Sequence, residues 1–255
     1  MRKRGYRIKG KRTSITAILV LSFMCFLLNF YLLQDAVSQK VFLQTGFEKD
    51  SVGKPPKDWD VRGEGFEVTT DTVKTDKKAL AILLGPNDDR VGIPIETDNP
   101  IISVEFWVYI QGGGRSFNLK IITADDIGQH NGGPYINWNG DTVRLFDGAA
   151  WVLIDEFDTD EWKYVRVVTD VSKSEFNFYS GNDRNLALKD RGKKGLPFRN
   201  PAVNPTAKWV AFHVYSMTAR GYVDDVLIYE GDEPVNLAVE PDDKLATVWG
   251  HIKKK

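Results

Sequence analysis

Two adjacent aspartates, Asp224 and Asp225, interrupt the apolar run "GYVDDVLIYEG" at residues 221–231. In an extended chain consecutive side chains point to opposite faces. Tyr222, Asp224, Val226 and Ile228 therefore share one face, and Val223, Asp225, Leu227 and Tyr229 the other. One face of a packed sheet is core, so one of the two carboxylates starts out among apolar neighbours. A lone buried carboxylate is costly and needs a cation, an Arg or several N–H donors. The sequence leaves open a bound cation, a pairing with Arg220, or the capping of a loop.

A second stretch, "YINWNG" at 135–140, joins rings to amides. Sugars stack their C–H faces on aromatic rings while amides take the hydroxyls. Asn139-Gly140 tolerates positive φ and reads as a two-residue hairpin turn. With the turn there, Tyr135 and Asn137 project together and Trp138 lies across the tip, an exposed platform for a sugar ring. Trp107, Tyr109, Trp151, Trp209, His213 and Tyr215 also fall in strands or at their edges; each serves either the core or such a face. Other chemistries lack their residues. His130, His213 and His251 have no partners at metal or triad spacing, no serine nucleophile elbow is present, and Gly112–Gly114 reads as a turn rather than a phosphate loop.

The elements that must position these residues lie behind a leader. Seven basic residues precede an apolar run of nineteen, Ile15–Leu33, and Ala36-Val37-Ser38 offers small residues to a signal peptidase. The expectation is export, with residues 1–38 either cleaved or retained as an N-terminal anchor. The chain's single cysteine, Cys25, lies inside the apolar run, so no disulfide braces the exported part. The 217 residues that follow Ser38 suffice for a core without one. They carry 27 basic against 34 acidic groups, a net of −7, which argues against nucleic acid and favours cations. Membrane contact is expected only through the N-terminal helix.

Between Val41 and Glu230 short alternating segments recur, with turn residues between them and no amphipathic helix. The clearest is Ile101–Gln111, where Ile102, Val104, Phe106, Val108 and Ile110 alternate with Ser103, Glu105, Trp107 and Tyr109. Asp147-Gly148 reads as a second hairpin turn, and the stretch from Gly181 to Thr206, with Arg184 and Arg199, as a long irregular loop. Many short strands without helical crossovers predict an all-β, antiparallel two-sheet sandwich over 41–231, followed by a tail at 232–255 that could hold a short helix from Asp243 to His251.

Several segments, in order, resemble the concanavalin A-like, laminin-G-like jelly-roll group. "TGFEKDSVGKPPKDWDV" (45–61) is similar to its opening strand, "ISVEFWVYI" (102–110) to its central strand, "DEWKYVRVVTDVSKSEFNFYSG" (160–181) to its hairpin and "GYVDDVLIYEG" to its closing strand. The resemblance implies a structural Ca²⁺ where the first and last strands meet, with Glu48 and Asp224 as ligands and Asp225 or Asp50 in reserve; hard oxygen ligands suit that ion. It also implies a place to look for catalysis. Laminarinase-type glucanases of this fold carry two glutamates flanking an aspartate, and "EFDTDE" matches the bulged spacing with Glu156, Asp158 and Glu161. Thr159 and Asp160 stand where that family has apolar residues, so the segment reads as an acidic exposed turn. Gln129-His130 sits in loop chemistry, and no late Tyr-x-Lys motif accompanies it, unlike the alginate lyases of this fold.

The sequence thus predicts an exported jelly-roll module that binds polysaccharide or another glycan without cleaving it. A glycan-cleaving enzyme of the laminarinase type and a protein-binding adhesion scaffold are the alternatives.

Overall fold

Period-two patterning decides the architecture. The computed structural model describes residues 39–84, 88–112, 114–129, 132–184, 192–215 and 218–235. The expected leader with Cys25, the tail beyond Val235 with its expected helix and His251, and His130 lie outside the described residues. The first strands are β1 (Val41–Thr45), β2 (Asp60–Arg62), β3 (Phe66–Thr69), β4 (Ala79–Ile82), β5 (Asp89–Pro94), β6 (Ile101–Ile110) and β7 (Arg115–Ile122). There follow β8 (Tyr135–Asn139), β9 (Thr142–Phe146), β10 (Trp151–Glu156), β11 (Lys163–Asp170), β12 (Glu175–Gly181), β13 (Lys193–Pro197), β14 (Trp209–Val214) and β15 (Gly221–Glu230). Every pairing between these strands is antiparallel. No helix among the described residues is long and apolar enough to cross a membrane.

One sheet runs β13-β12-β11-β6-β15-β4-β3, with β1 also on β15; the other runs β10-β9-β8-β7-β14-β5-β2. Their inner faces share one core. The first sheet contributes Ile102, Val104, Phe106, Val108 and Ile110 from β6 and Val223, Val226 and Ile228 from β15. The second contributes Phe117, Leu119 and Ile121 from β7, Ile136 and Trp138 from β8, and Val210 and Phe212 from β14. Trp138 stacks on Phe117 with centroids 4.7 Å apart, and Phe106 reaches across from the other sheet to meet Trp138 at 5.8 Å and Phe212 at 5.5 Å. Edge-to-face contact of this kind adds to the burial of each ring.

Trp138 is therefore a core residue, not a platform at a hairpin tip: it is fully buried. The error came from the turn. Asn139 pairs with Thr142, so the two loop residues are Gly140 and Asp141, with Gly140 at φ 64°. That placement draws Trp138 into the ladder opposite Val143, on the same inward face as Ile136. A turn moved by a single residue changes which side chains the ladder contains. The second expected turn is also longer: residues 147–150 connect β9 to β10, and the Asp147 carboxylate accepts the N–H groups of Ala149 and Ala150. Strand β13 forms within the stretch expected to be irregular, pairing its Pro197 with Glu175 of β12.

Trp138→Ala should cost about 3–5 kcal/mol, the scale of a buried Trp truncation with its residual cavity. The denaturant midpoint of the domain reads this directly. A loss under about 1 kcal/mol would show that the ring is not packed as described.

Candidate functional site

The alternation that buries Ile136 and Trp138 turns Tyr135, Asn137 and Asn139 of β8 outward. On β7 it does the same for Asn118 and Lys120, on β9 for Arg144 and Phe146, and on β14 for His213. Tyr135, Asn137, Asn139, Asn118, Arg144 and Phe146 line a cleft of 340 Å³ on the outer face of the seven-stranded sheet. Trp151 at the start of β10, Arg199 beyond β13 and Tyr215 after β14 complete it.

The floor is a chain of buried polar groups whose orientations follow from two backbone carbonyls. The Asn118 Nδ2 donates to the His213 carbonyl at 3.2 Å, and the Asn137 Nδ2 donates to the Phe117 carbonyl at 3.3 Å. A carbonyl accepts only, so in both amides the group facing it is the NH₂. Asn137 Nδ2 then also donates to Asn118 Oδ1 at 2.8 Å, and Asn118 Nδ2 lies 3.3 Å from His213 Nδ1, which must accept. The ring proton of His213 thereby falls on Nε2, which donates to the Asp88 carboxylate. At the other end Asn137 Oδ1 has no protein partner among the described residues, and it is not a buried unsatisfied atom; it opens to the cleft as an acceptor.

Burial keeps this floor neutral. It depresses His213 to about 3, with the Lys120 cation adding to the effect against the pull of Asp88. Burial also lowers Lys120 to about 6, helped by the neighbouring Arg90. The walls are aromatic. Trp151 meets Tyr135 at 5.3 Å and Phe146 at 5.2 Å, yet is 45% exposed; Tyr215 is 54% exposed. The Arg199 guanidinium lies over Tyr135 at 5.2 Å and Phe146 at 5.1 Å. Its backbone is held close by Gly148: a Cβ there would come 2.4 Å from the Arg199 carbonyl, at a φ of 98° that favours glycine.

The structure brings Tyr135 and Asn137 into the cleft, but not the acids of "EFDTDE", which sequence reads as an exposed turn. Glu156 ends β10 and Asp158 and Glu161 lie in the exposed connection to β11, where Lys163 pairs with Asp158 at 2.6 Å and with Glu161 at 3.9 Å. None of the three lines the cleft.

Asp224 is fully buried where the neighbour of β15 changes from β4, paired at 221–223, to β1, paired at 226–229. The ladder is interrupted there, with Asp225 at φ 49°. Asp224 Oδ2 accepts the N–H groups of Lys74 at 2.9 Å and Thr75 at 3.0 Å, and Oδ1 that of Asp225 at 2.8 Å. Burial pushes its carboxyl up to about 6 while the donors pull the other way, so it is ionised at neutral pH. Asp225 accepts from the Thr75 hydroxyl at 2.9 Å, and Glu48 Oε1 accepts from the N–H groups of Lys77 and Lys78 at 2.9 and 2.8 Å. Among the described residues no ion pair joins Arg220 to either aspartate, and no group of three or more His, Cys, Asp or Glu is placed to hold a metal. Backbone N–H groups point at the oxygens a Ca²⁺ would need, so this donor set fits an N–H clamp better than a metal cage.

Sequence patterning passed over a second buried carboxylate. Glu105 of β6, 1% exposed, accepts from Tyr229 at 2.5 Å, from Arg184 at 2.9 Å and from Tyr164. Arg166 lies 3.4 Å away, and Arg184 also donates to the Val235 carbonyl at 3.1 Å. This network ties the segment after β15 onto the outer face of the eight-stranded sheet. Sequence also missed Asn118, Arg144 and Arg199 in the cleft. The first two alternate with core residues along their strands, which was the available signal; Arg199, in a connection, carried none.

No family model and no curated protein matches the chain. Among solved structures, a sialidase aligns at TM-score 0.56 and 13% identity over 74% of this chain. The chain spans 18% of the sialidase's own length. A carbohydrate esterase, vb_24B_21, from the Shiga toxin-encoding bacteriophage phi24B aligns at TM-score 0.53 and 9% identity, over 76% of this chain and 100% of its own. At these identities the likeness shows a shared β-sandwich fold.

Asp224→Asn should cost about 1–3 kcal/mol, because an NH₂ would face backbone N–H donors in a buried site. Melting curves in chelator and in added calcium separate the causes. The N–H clamp gives the same loss in both, whereas a loss seen only with calcium would assign the carboxylate to a metal.

His213 predicts an acid limb in stability. The unfolded chain binds its proton near 6.5 and the folded chain only near 3, so between these values the unfolded state holds more protons and stability falls as the pH is lowered. The slope from this residue approaches about 1.4 kcal/mol per pH unit. Denaturant titrations from neutral pH down to pH 4 should be flatter by that amount in His213→Gln, which keeps an acceptor for Asn118; identical slopes would refute a buried neutral ring.

Proposed function

We propose that this protein is a glycan-binding module of the concanavalin A-like, laminin-G-like jelly-roll group, exported by its leader, and that the sugar lies in the cleft on the outer face of the seven-stranded sheet. One observation carries the reading: half-exposed rings, Trp151 and Tyr215, stand beside a pair of oriented amides that leaves Asn137 Oδ1 facing the cleft. A ring wall with a preset acceptor is what a sugar needs, a C–H face to stack and hydroxyls to place. Because Asp88, His213 and Asn118 hold Asn137 in one orientation, little ordering remains to be done on binding. The sialidase and esterase likenesses support the reading through fold alone.

Binding is favoured over cleavage of the laminarinase type by the make-up of the cleft. Retaining and inverting glycosidases of the usual kind need two carboxyl groups across the scissile bond, and none of the nine lining residues is acidic. A protein-binding scaffold is the other alternative, and the same experiment addresses it.

Trp151→Ala should weaken retardation in polysaccharide affinity gels by about 1 kcal/mol in binding free energy, the scale of an aromatic contact. Its melting temperature should move little, since the ring is half exposed. Asn137→Ala should weaken binding as well. Wild-type protein that no polysaccharide retards, or a Trp151→Ala variant retarded like wild type by every polysaccharide that binds, would overturn the proposal.

A further inference from the structure

The cleft's charge is opposite to that of the chain. Residues 39–255 carry 27 basic against 34 acidic groups, yet among the described residues the cleft is lined by two arginines and no acid. In so acidic a chain a partly buried guanidinium ordinarily finds a carboxylate. Here neither does: among the described residues Arg144 has only the Thr142 hydroxyl, 3.1 Å from its Nε, and the Arg199 guanidinium only the rings of Tyr135 and Phe146. The acid closest to the floor, Asp88, is already engaged by Arg90 at 2.7 Å and by His213.

Arg199 is also well posed. Its guanidinium carbon lies over both Tyr135 and Phe146, at 5.2 and 5.1 Å, and a planar fork of donors held there suits a carboxylate or sulfate. Contact with two rings also restricts the side chain, so less freedom is left to lose on binding.

We propose that the glycan bound in this cleft is anionic, with a carboxylate or sulfate group of the sugar held by Arg144 and Arg199 while a neighbouring ring stacks on Trp151. The inference rests on the cleft being the glycan site. It adds the class of sugar: a uronic-acid or sulfated polysaccharide rather than a neutral glucan or xylan.

The test uses the full chain in affinity gels against matched probes: polygalacturonate and its methyl ester, dextran sulfate and dextran, and neutral xylan. Wild type should bind at least one acidic probe about tenfold or more tightly than its neutral counterpart, the scale of charged hydrogen bonds. Retention by polygalacturonate alone identifies the group as a carboxylate, and by dextran sulfate alone as a sulfate. Arg144→Gln and Arg199→Gln should each lose that preference with little change in melting temperature. Arg199→Lys, which keeps the charge but not the fork, should fall between. Lys57→Gln, an exposed cation outside the cleft, should bind like wild type; a comparable loss there would mean bulk attraction and overturn the proposal. Equal binding of polygalacturonate and its ester and of dextran sulfate and dextran, or arginine variants that keep wild-type preference, would also overturn it while leaving the glycan site standing, provided that Trp151→Ala still weakens binding. If Trp151→Ala changes nothing on any probe, both proposals fall together.

Discussion

The stack of Trp138 on Phe117 is the contact from which the rest of the seven-stranded sheet takes its orientation. Two large rings from adjacent strands occupy the inner face, closed from the opposite sheet by Phe106. A slip of one residue in either strand would carry a buried ring to solvent and a polar amide into the core, so the register is strongly specified. Once Trp138 and Phe117 point inward, Asn137 and Asn118 must point outward next to each other. The cleft is thus the reverse side of the core. Its shape depends on packing more than on anything in the cleft itself.

The outward amides would be flexible reporters if nothing held them. They are instead linked through His213 to Asp88, with each donor and acceptor assigned by a neighbour. A buried network of this kind is worth having only when its members are satisfied, since an unpaired buried polar group costs more than the network gains. Neutral His213 fits that rule: its ring donates once and accepts once. Above the floor stand the guanidinium groups of Arg144 and Arg199, with no lining carboxylate among the described residues. A neutral, hydrogen-bonded floor thus lies below a cationic rim.

The eight-stranded sheet handles its charges differently. Asp224 is supplied with three backbone N–H groups at a place where β15 exchanges one neighbour for another, and the carboxylate stands in for the ladder partner that the exchange removes. Glu48 does the same for the adjoining turn at Lys77 and Lys78. Glu105, with two tyrosines and two arginines, holds the chain's exit from the domain. These are acids that close gaps in backbone bonding.

Alternation was legible by itself. Ile101–Gln111 announced β6 to within a residue, the run around Asp224 announced β15, and the absence of helical periodicity announced a two-sheet sandwich. Tyr135 and Asn137 could be placed on one face because side chains alternate whatever the partner strand is. The short edge strands β2 and β13 carried too few alternating residues to stand out, and β5 was broken by Gly92. What tertiary structure alone decided was which face is inside and what each polar group meets. The turn at Gly140-Asp141 rather than Asn139-Gly140 sent Trp138 into the core, a choice settled by the space beside Phe117. Two of the three donors that receive Asp224 lie some 150 residues earlier in the chain, and Arg199 reaches Tyr135 from a connection with no pattern of its own. Local spacing sets the period of a strand, but partners distant in sequence are chosen by packing, which local spacing does not encode.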